Sequence, residues 1–290
     1  MNFKRYFGTY KKSNSKQVIN YMNKLEKKIS RYYNFGHPFT KGNYDLKYSD
    51  YLKDKKLNYN SMSPDETFEQ ISFLYQNIPN WANPGTMINV IPSVNLVSLA
   101  TVNVTNSFNS NFAQDTYAGY LIASELEVVK YISDLLGWDY EQSHGIFTFG
   151  GKGTNLYATK IALLKANYET KYSGCDNSKY FMITSSNGHP CHYQVCDWLG
   201  IGMDNCIDVS CDTDGQINVK EAEKIIRENL DAGKVFLGYN LNGGSTNELA
   251  IDPIKDVYEM NLRIVKEYNL NYVPHIHVDF VLGWISLFFK

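Results

Sequence analysis

Ile146-Phe147-Thr148-Phe149-Gly150-Gly151-Lys152-Gly153-Thr154-Asn155 passes from a short apolar run through a glycine turn into a helix. The run predicts a strand over residues 146–149 and the pattern beyond it a helix over residues 154–165. Glycines let a backbone approach an anion closely. A helix start adds free N–H groups and the positive end of the helix dipole. Lys152 and Thr154 contribute a charge and a hydroxyl. The glycine spacing fits neither the phosphate-binding P-loop nor the dinucleotide fingerprint. Alone, the turn is compatible with an anion site or with an ordinary glycine turn.

Alternation continues downstream. Strands are predicted over residues 180–184, 234–239 and 275–280, with helices over 192–199, from Asn218 onward, and from Asp252-Pro253 onward. Upstream, residues 121–136 read as a helix ended by Gly137. Strands alternating with helices predict an α/β fold, a mainly parallel sheet with helices on both faces. The first third reads differently. Val18, Met22, Leu25 and Ile29 recur at helical spacing, and Ser63-Pro64-Asp65-Glu66 carries a capping box. Residues 78–111 read as extended and loop-rich. The chain therefore divides into a helical, loop-rich segment at residues 1–110 and an α/β domain at 111–290.

Composition narrows the function. Hydrophobic residues are 43% of the 290 and charged residues 20%, enough apolar surface for a sizeable core. A net charge of -2 gives no reason to expect a nucleic-acid or membrane-surface partner. Five cysteines without a C-x-x-C pair argue against a zinc ribbon or a disulfide framework and for reduced thiols in a cytoplasmic protein. The N-terminus lacks a signal-peptide core, and no apolar run has transmembrane length.

Three further stretches carry reactive side chains. His189-Pro190-Cys191-His192-Tyr193 holds two histidines that have no metal-ligand partner at helical spacing, so no metal is expected there. Gly243-Gly244-Ser245-Thr246-Asn247 places small and hydroxyl residues after a strand, at the sheet edge where open α/β folds bind ligands. Asp279 ends the apolar strand of His275-Ile276-His277-Val278-Asp279. A carboxylate there needs a partner, and a cationic ring nitrogen or an ordinary salt bridge would each serve.

In this order the four stretches resemble the group II pyridoxal-dependent decarboxylases over roughly residues 80–284. Thr148 to Asn155 looks like the family's T-S-G-G-T-E-x-N loop, and Cys191 to Gly200 like its A-H-Y-S…L-G segment. Gly244 to Ile254 is similar to its G-T-T…D-P-I stretch, and His277-Val278-Asp279 matches its H-V-D strand. The resemblance implies a fold-type I transferase-like large domain and a pyridoxal 5'-phosphate cofactor. Gly151 and Lys152 would hold the phosphate. His192 would stack on the pyridine ring, Thr246 would lie near the cofactor, Asp279 would pair with the ring nitrogen and His277 would support it. His192 and Asp279 are thus the expected catalytic pair. The implied reaction converts an L-amino acid to an amine and carbon dioxide, in a homodimer.

The sequence departs from the family at several points. Lys152 stands where the family has a hydroxyl and Gly153 where it has glutamate. The segment carrying the family's Schiff-base lysine is not found after Asp279. Lys290 is the only later lysine, and its surroundings do not match. A large domain incomplete at its C-terminus, from a truncated decarboxylase, is therefore expected. A carbon–carbon lyase resembling sphingosine-phosphate lyase, or an inactive paralogue serving as a binding subunit, are the alternatives.

Overall fold

Two compact units, Met1–Gly119 and Tyr120–Lys290, make up the chain. The composition change at residue 110 precedes that division. The structure is a computed structural model and describes residues 14–45, 47–56, 62–87 and 91–289. Lys290 lies outside the described residues.

The first unit contains α1 (Ser15–Ile29), α2 (Tyr48–Leu52), α3 (Pro64–Phe73), α4 (Leu96–Asn106) and α5 (Asp115–Ala118). The capping box read from the sequence starts α3: the Ser63 side chain accepts from the Glu66 N–H, and the Glu66 carboxylate accepts from the Ser63 N–H. Tyr21 meets Phe68 edge to face between α1 and α3, with ring centroids 5.5 Å apart. α4 corrects the sequence reading, which made residues 78–111 loop-rich. Asn95 Oδ1 accepts from the Ser98 N–H at 3.0 Å and caps a helix that its Asn and Ser content had disguised. Leu96, Val97, Leu99, Val102 and Val104 on this helix are all exposed.

The second unit continues with α6 (Ala123–Leu136), α7 (Gly151–Ala166), α8 (Thr170–Ser173), β1 (Tyr180–Ser185), α9 (Cys191–Trp198), β2 (Cys206–Val209), α10 (Val219–Asp231), β3 (Val235–Asn242), α11 (Ile254–Glu267) and β4 (His275–Asp279). All pairs in the sheet are parallel, in the order β2-β1-β3-β4. β1 is buried at every position, as a central strand covered on both faces must be. On one face Phe181, Ile183, Phe236, Tyr239 and Leu241 pack against Ala222 and Ile226 of α10 and Val257, Met260 and Ile264 of α11. On the other, Tyr180, Met182 and Leu237 pack against Ala162 and Leu163 of α7 and Cys196 of α9. The alternation of strands and helices thus gives the expected three-layer α/β architecture.

Two strand expectations change. Residues 146–149 pair with no strand among the described residues; the Phe147 N–H instead donates to Glu125 Oε1 at 2.6 Å. An apolar run gives a ladder only where a neighbouring strand exists to receive its hydrogen bonds. β2 was not foreseen. Its four residues are buried at the two ends, Cys206 and Val209, around half-buried Ile207 and exposed Asp208, too short a run for a periodic signal.

Parallel strands send all their carboxyl ends to one edge, and close backbone packing holds both the strands and that edge. Gly238 has φ 145°, and a Cβ there would lie 1.9 Å from the His275 carbonyl oxygen of β4. A Cβ on Gly283 would lie 1.8 Å from the Gly243 carbonyl oxygen. Asp252, 2% exposed, accepts from the Asn242 N–H at 2.6 Å and the Ile217 N–H at 2.7 Å, which ties the end of β3 in place. Gly238→Ala is expected to cost more than about 2 kcal/mol of unfolding free energy, because both its backbone angle and its neighbour forbid a side chain. Urea unfolding measures this, and an unchanged midpoint would refute the close-packing argument.

Candidate functional site

His192 is the second residue of α9 and is fully buried. Its Nδ1 lies 2.8 Å from Thr184 Oγ1 at the end of β1. The Thr184 hydroxyl donates to the Asn240 carbonyl oxygen at 3.3 Å, so it must accept from His192 Nδ1–H. This network engages Nδ1 and leaves Nε2 as the ring nitrogen that faces the site. Nε2 has no hydrogen-bond partner and faces Asp279 Oδ2 at 3.7 Å. Gly188 packs against the same bond: a Cβ there would come within 2.9 Å of both His192 Nδ1 and Thr184 Oγ1.

Asp279 ends β4. Its Oδ2 accepts from Asn155 Nδ2 at 3.2 Å and its Oδ1 from the Val281 N–H at 3.3 Å. Burial pushes its carboxyl group up. The nearby His192 ring, the Asn155 amide and the Val281 N–H outweigh burial and hold it at about 2. Asn155 is the hub of the cluster. Its amide nitrogen also donates to Cys191 Sγ at 3.0 Å, and its Oδ1 accepts from His277 Nε2 at 2.6 Å. Burial pulls His277 down to about 4, and its neighbours His192 and His275 act in the same direction against the pull of Asp279.

The glycine turn stands beside this cluster. Gly150, with φ 101°, is the N-cap of α7, and Gly151 and Lys152 are its first residues. Their N–H groups have no acceptor within the helix. A Cβ on Gly151 would meet Val281, two residues past Asp279, at 3.6 Å. Thr148 Oγ1 and Thr154 Oγ1 bridge the turn at 2.9 Å. The Lys152 side chain runs to α9, with Nζ 5.4 Å from the centre of the Trp198 ring. Thr246 lies exposed on the loop after β3. Its neighbour Ser245 is the buried hydroxyl, accepting from the Ala250 N–H at 3.2 Å.

The structure therefore brings His192, His277 and Asp279 together, sets Gly151 beside them, directs the Lys152 amine to Trp198 and leaves Thr246 at the surface. Asn155, Cys191 and Thr184 were assigned no role in the sequence. Asn155 had a signal: it stands four residues after Gly151 and so shares its helix face. Thr184 had none, because its role arises from the meeting of β1 with α9.

The conserved domain of pyridoxal-dependent decarboxylases matches residues 48–285. The chain belongs to the pyridoxal-dependent decarboxylase family. Within this family it is 26% identical over 208 residues to acidic amino acid decarboxylase GADL1 of Xenopus tropicalis, covering 70% of this chain and 40% of that relative. The fold is shared with the glutamate decarboxylase domain of a Vibrio parahaemolyticus diaminobutyrate-pyruvate transaminase and L-2,4-diaminobutyrate decarboxylase. There the TM-score is 0.78 at 16% identity, over 98% of this chain and 62% of that one. Oryza sativa TDC, solved with PLP and tryptamine, gives a TM-score of 0.68 at 18% identity, over 88% of this chain and 54% of that one. The chain thus spans about half the length of the decarboxylases it matches.

His277 is expected to make stability pH-dependent. Its folded value lies below its unfolded one, so its contribution is whole above pH 6.5 and is lost as pH falls through about 4. Up to about 3 kcal/mol should disappear over that window. His277→Asn should flatten this part of the curve in urea unfolding at stepped pH; identical slopes in the two proteins would refute the assignment.

Proposed function

We propose that this chain is the cofactor-binding part of a pyridoxal-phosphate-dependent amino-acid decarboxylase, converting an L-amino acid to an amine and carbon dioxide. The observation that carries the reading is the unpaired, fully buried His192 Nε2 facing the Asp279 carboxylate, beside a glycine-lined helix start.

These residues fit the cofactor. Asp279 offers an anion of low basicity for a cationic ring nitrogen, and the Gly151 and Lys152 N–H groups offer a seat for a phosphate. His192 would lie against the ring. Pyridoxal phosphate supplies an electron-poor ring that takes up the electrons left on the α-carbon when the carboxylate departs.

The chain's own residues prepare for this. Asp279 would hold a proton at the pyridine nitrogen by charge pairing. Asn155 keeps the carboxylate aimed by donating to Oδ2, while its Oδ1 is occupied by His277. Thr184 fixes the plane of the His192 ring. Thr246, exposed on its loop, is assigned a place near the cofactor by the family pattern alone.

A second copy of the chain is the partner we infer, with the family resemblance as the first support. The second support is an apolar groove lined by Val18, Ile19 and Met22 of α1 and by Leu96, Leu99 and Val104 of α4. Among the described residues no helix is long and apolar enough to cross a membrane, and all five cysteines are free. Reduced thiols support a cytoplasmic setting.

Equilibrium dialysis against pyridoxal phosphate tests the cofactor reading. Asp279→Asn preserves shape and removes the charge, and should weaken binding about tenfold or more. Equal affinity of the two proteins, or no binding by either, would overturn the reading. In sedimentation, the chain should run as a dimer, and Leu99→Asp should shift it toward monomer; a monomer in both cases would refute the partner assignment.

A further inference from the structure

Three metal-binding atoms converge in this cluster. A Cys191 sulfur, a His192 ring nitrogen and an Asp279 carboxylate oxygen lie within 4.8 Å of one another. They come from α9 and from the end of β4, so no spacing in the sequence announced them.

The space between His192 and Asp279 points to a cation. Thr184 engages Nδ1 of His192, so Nε2 is the ring nitrogen that faces a carboxylate already accepting two hydrogen bonds. Nε2 is fully buried without a hydrogen-bond partner, which is costly unless something placed between the two groups satisfies both. A proton shared between them would draw nitrogen and oxygen to about 2.7–2.9 Å. Bonds of about 2.0–2.1 Å to a tetrahedral ion hold such donors about 3.3 Å apart. The observed 3.7 Å lies nearer the second distance.

The surroundings resemble the supporting layer of a metal site. Asn155 Nδ2 donates to both Cys191 Sγ, at 3.0 Å, and Asp279 Oδ2, at 3.2 Å, and so orients two of the three ligands. Thr184 orients the third. A set of one sulfur, one imidazole nitrogen and one carboxylate oxygen suits zinc and its neighbours, whereas calcium and magnesium take oxygen ligands.

We propose that Cys191, His192 and Asp279 form a three-ligand site for a divalent transition metal of the zinc class, in competition with pyridoxal phosphate for Asp279. Coordination forms a metal–sulfur bond and releases the Cys191 thiol proton to solvent. Three protein ligands leave a fourth position open.

The test uses the full chain, stripped of metal and cofactor and titrated with cobalt(II). One cobalt per chain is expected, with a thiolate-to-cobalt charge-transfer band that zinc abolishes. Cys191→Ser should lose the band and bind at least tenfold more weakly, whereas Cys211→Ser should keep both. In the unsubstituted chain, bound zinc should slow alkylation of Cys191, a readout that does not depend on any variant folding. A folded chain without the band, a band that survives Cys191→Ser, or unprotected Cys191 would overturn the proposal. Cobalt binding is measured without pyridoxal phosphate, so it stands or falls separately from the cofactor reading. Adding the cofactor afterwards should release cobalt, and retention of cobalt while the cofactor binds would overturn the competition.

Discussion

A carboxylate and an imidazole nitrogen facing each other in a mostly buried space organise this molecule. His192 Nε2 is buried beside Asp279 without a hydrogen-bond partner, and a buried polar atom left so is costly. The position between them calls for positive charge, whether a ring nitrogen bearing a proton or a metal ion. Much of the surrounding structure holds the two groups in that relation. Asn155 binds one, Thr184 binds the other, and Gly188 lies so close to the Thr184–His192 bond that a side chain there would collide with it.

Sheet topology makes the meeting possible. Asp279, Thr184 and the Asn240 carbonyl stand on three neighbouring parallel strands, and parallel pairing brings their carboxyl ends to one edge. The start of α7 reaches the same edge and adds Asn155 together with free N–H groups. Backbone contacts too tight for any side chain hold the start of β4, at Gly238 against His275, and this edge, at Gly283 against Gly243. Buried Asp252 does the same work for the end of β3, accepting two backbone N–H groups whose hydrogen bonds offset part of the cost of burying its charge, while burial still pushes its carboxyl group up.

Electrostatics divides the site into unlike parts. His277 is buried and accepts a proton poorly, so it serves as a neutral donor to Asn155. Asp279 is partly buried yet stays ionised to about pH 2, because donors surround it. A neutral donor behind an Asn relay and an anion in front give the edge a fixed polarity. The glycine turn contributes helix-start N–H groups on the same side of the sheet.

Apart from Cys206–Val209, the order of strands and helices from residue 180 to residue 279 was legible in the sequence, because long apolar periodicities survive whatever packs on them. Ser63, Asn218 and Gly137 marked element ends through chemistry local to the chain, and the His277-Val278-Asp279 strand pointed to its terminal carboxylate. Local signals failed where a partner decided the outcome. Residues 146–149 looked like a strand and found no neighbour, whereas Cys206–Val209 looked like nothing and was paired by β1. The same limit governs the site. Sequence alone determined which segments carry reactive groups. Only the tertiary structure decided that Cys191, Thr184 and Asn155 join His192 and Asp279. Their hydrogen bonds cross up to 124 positions of chain, and contacts of that range depend on how the layers pack.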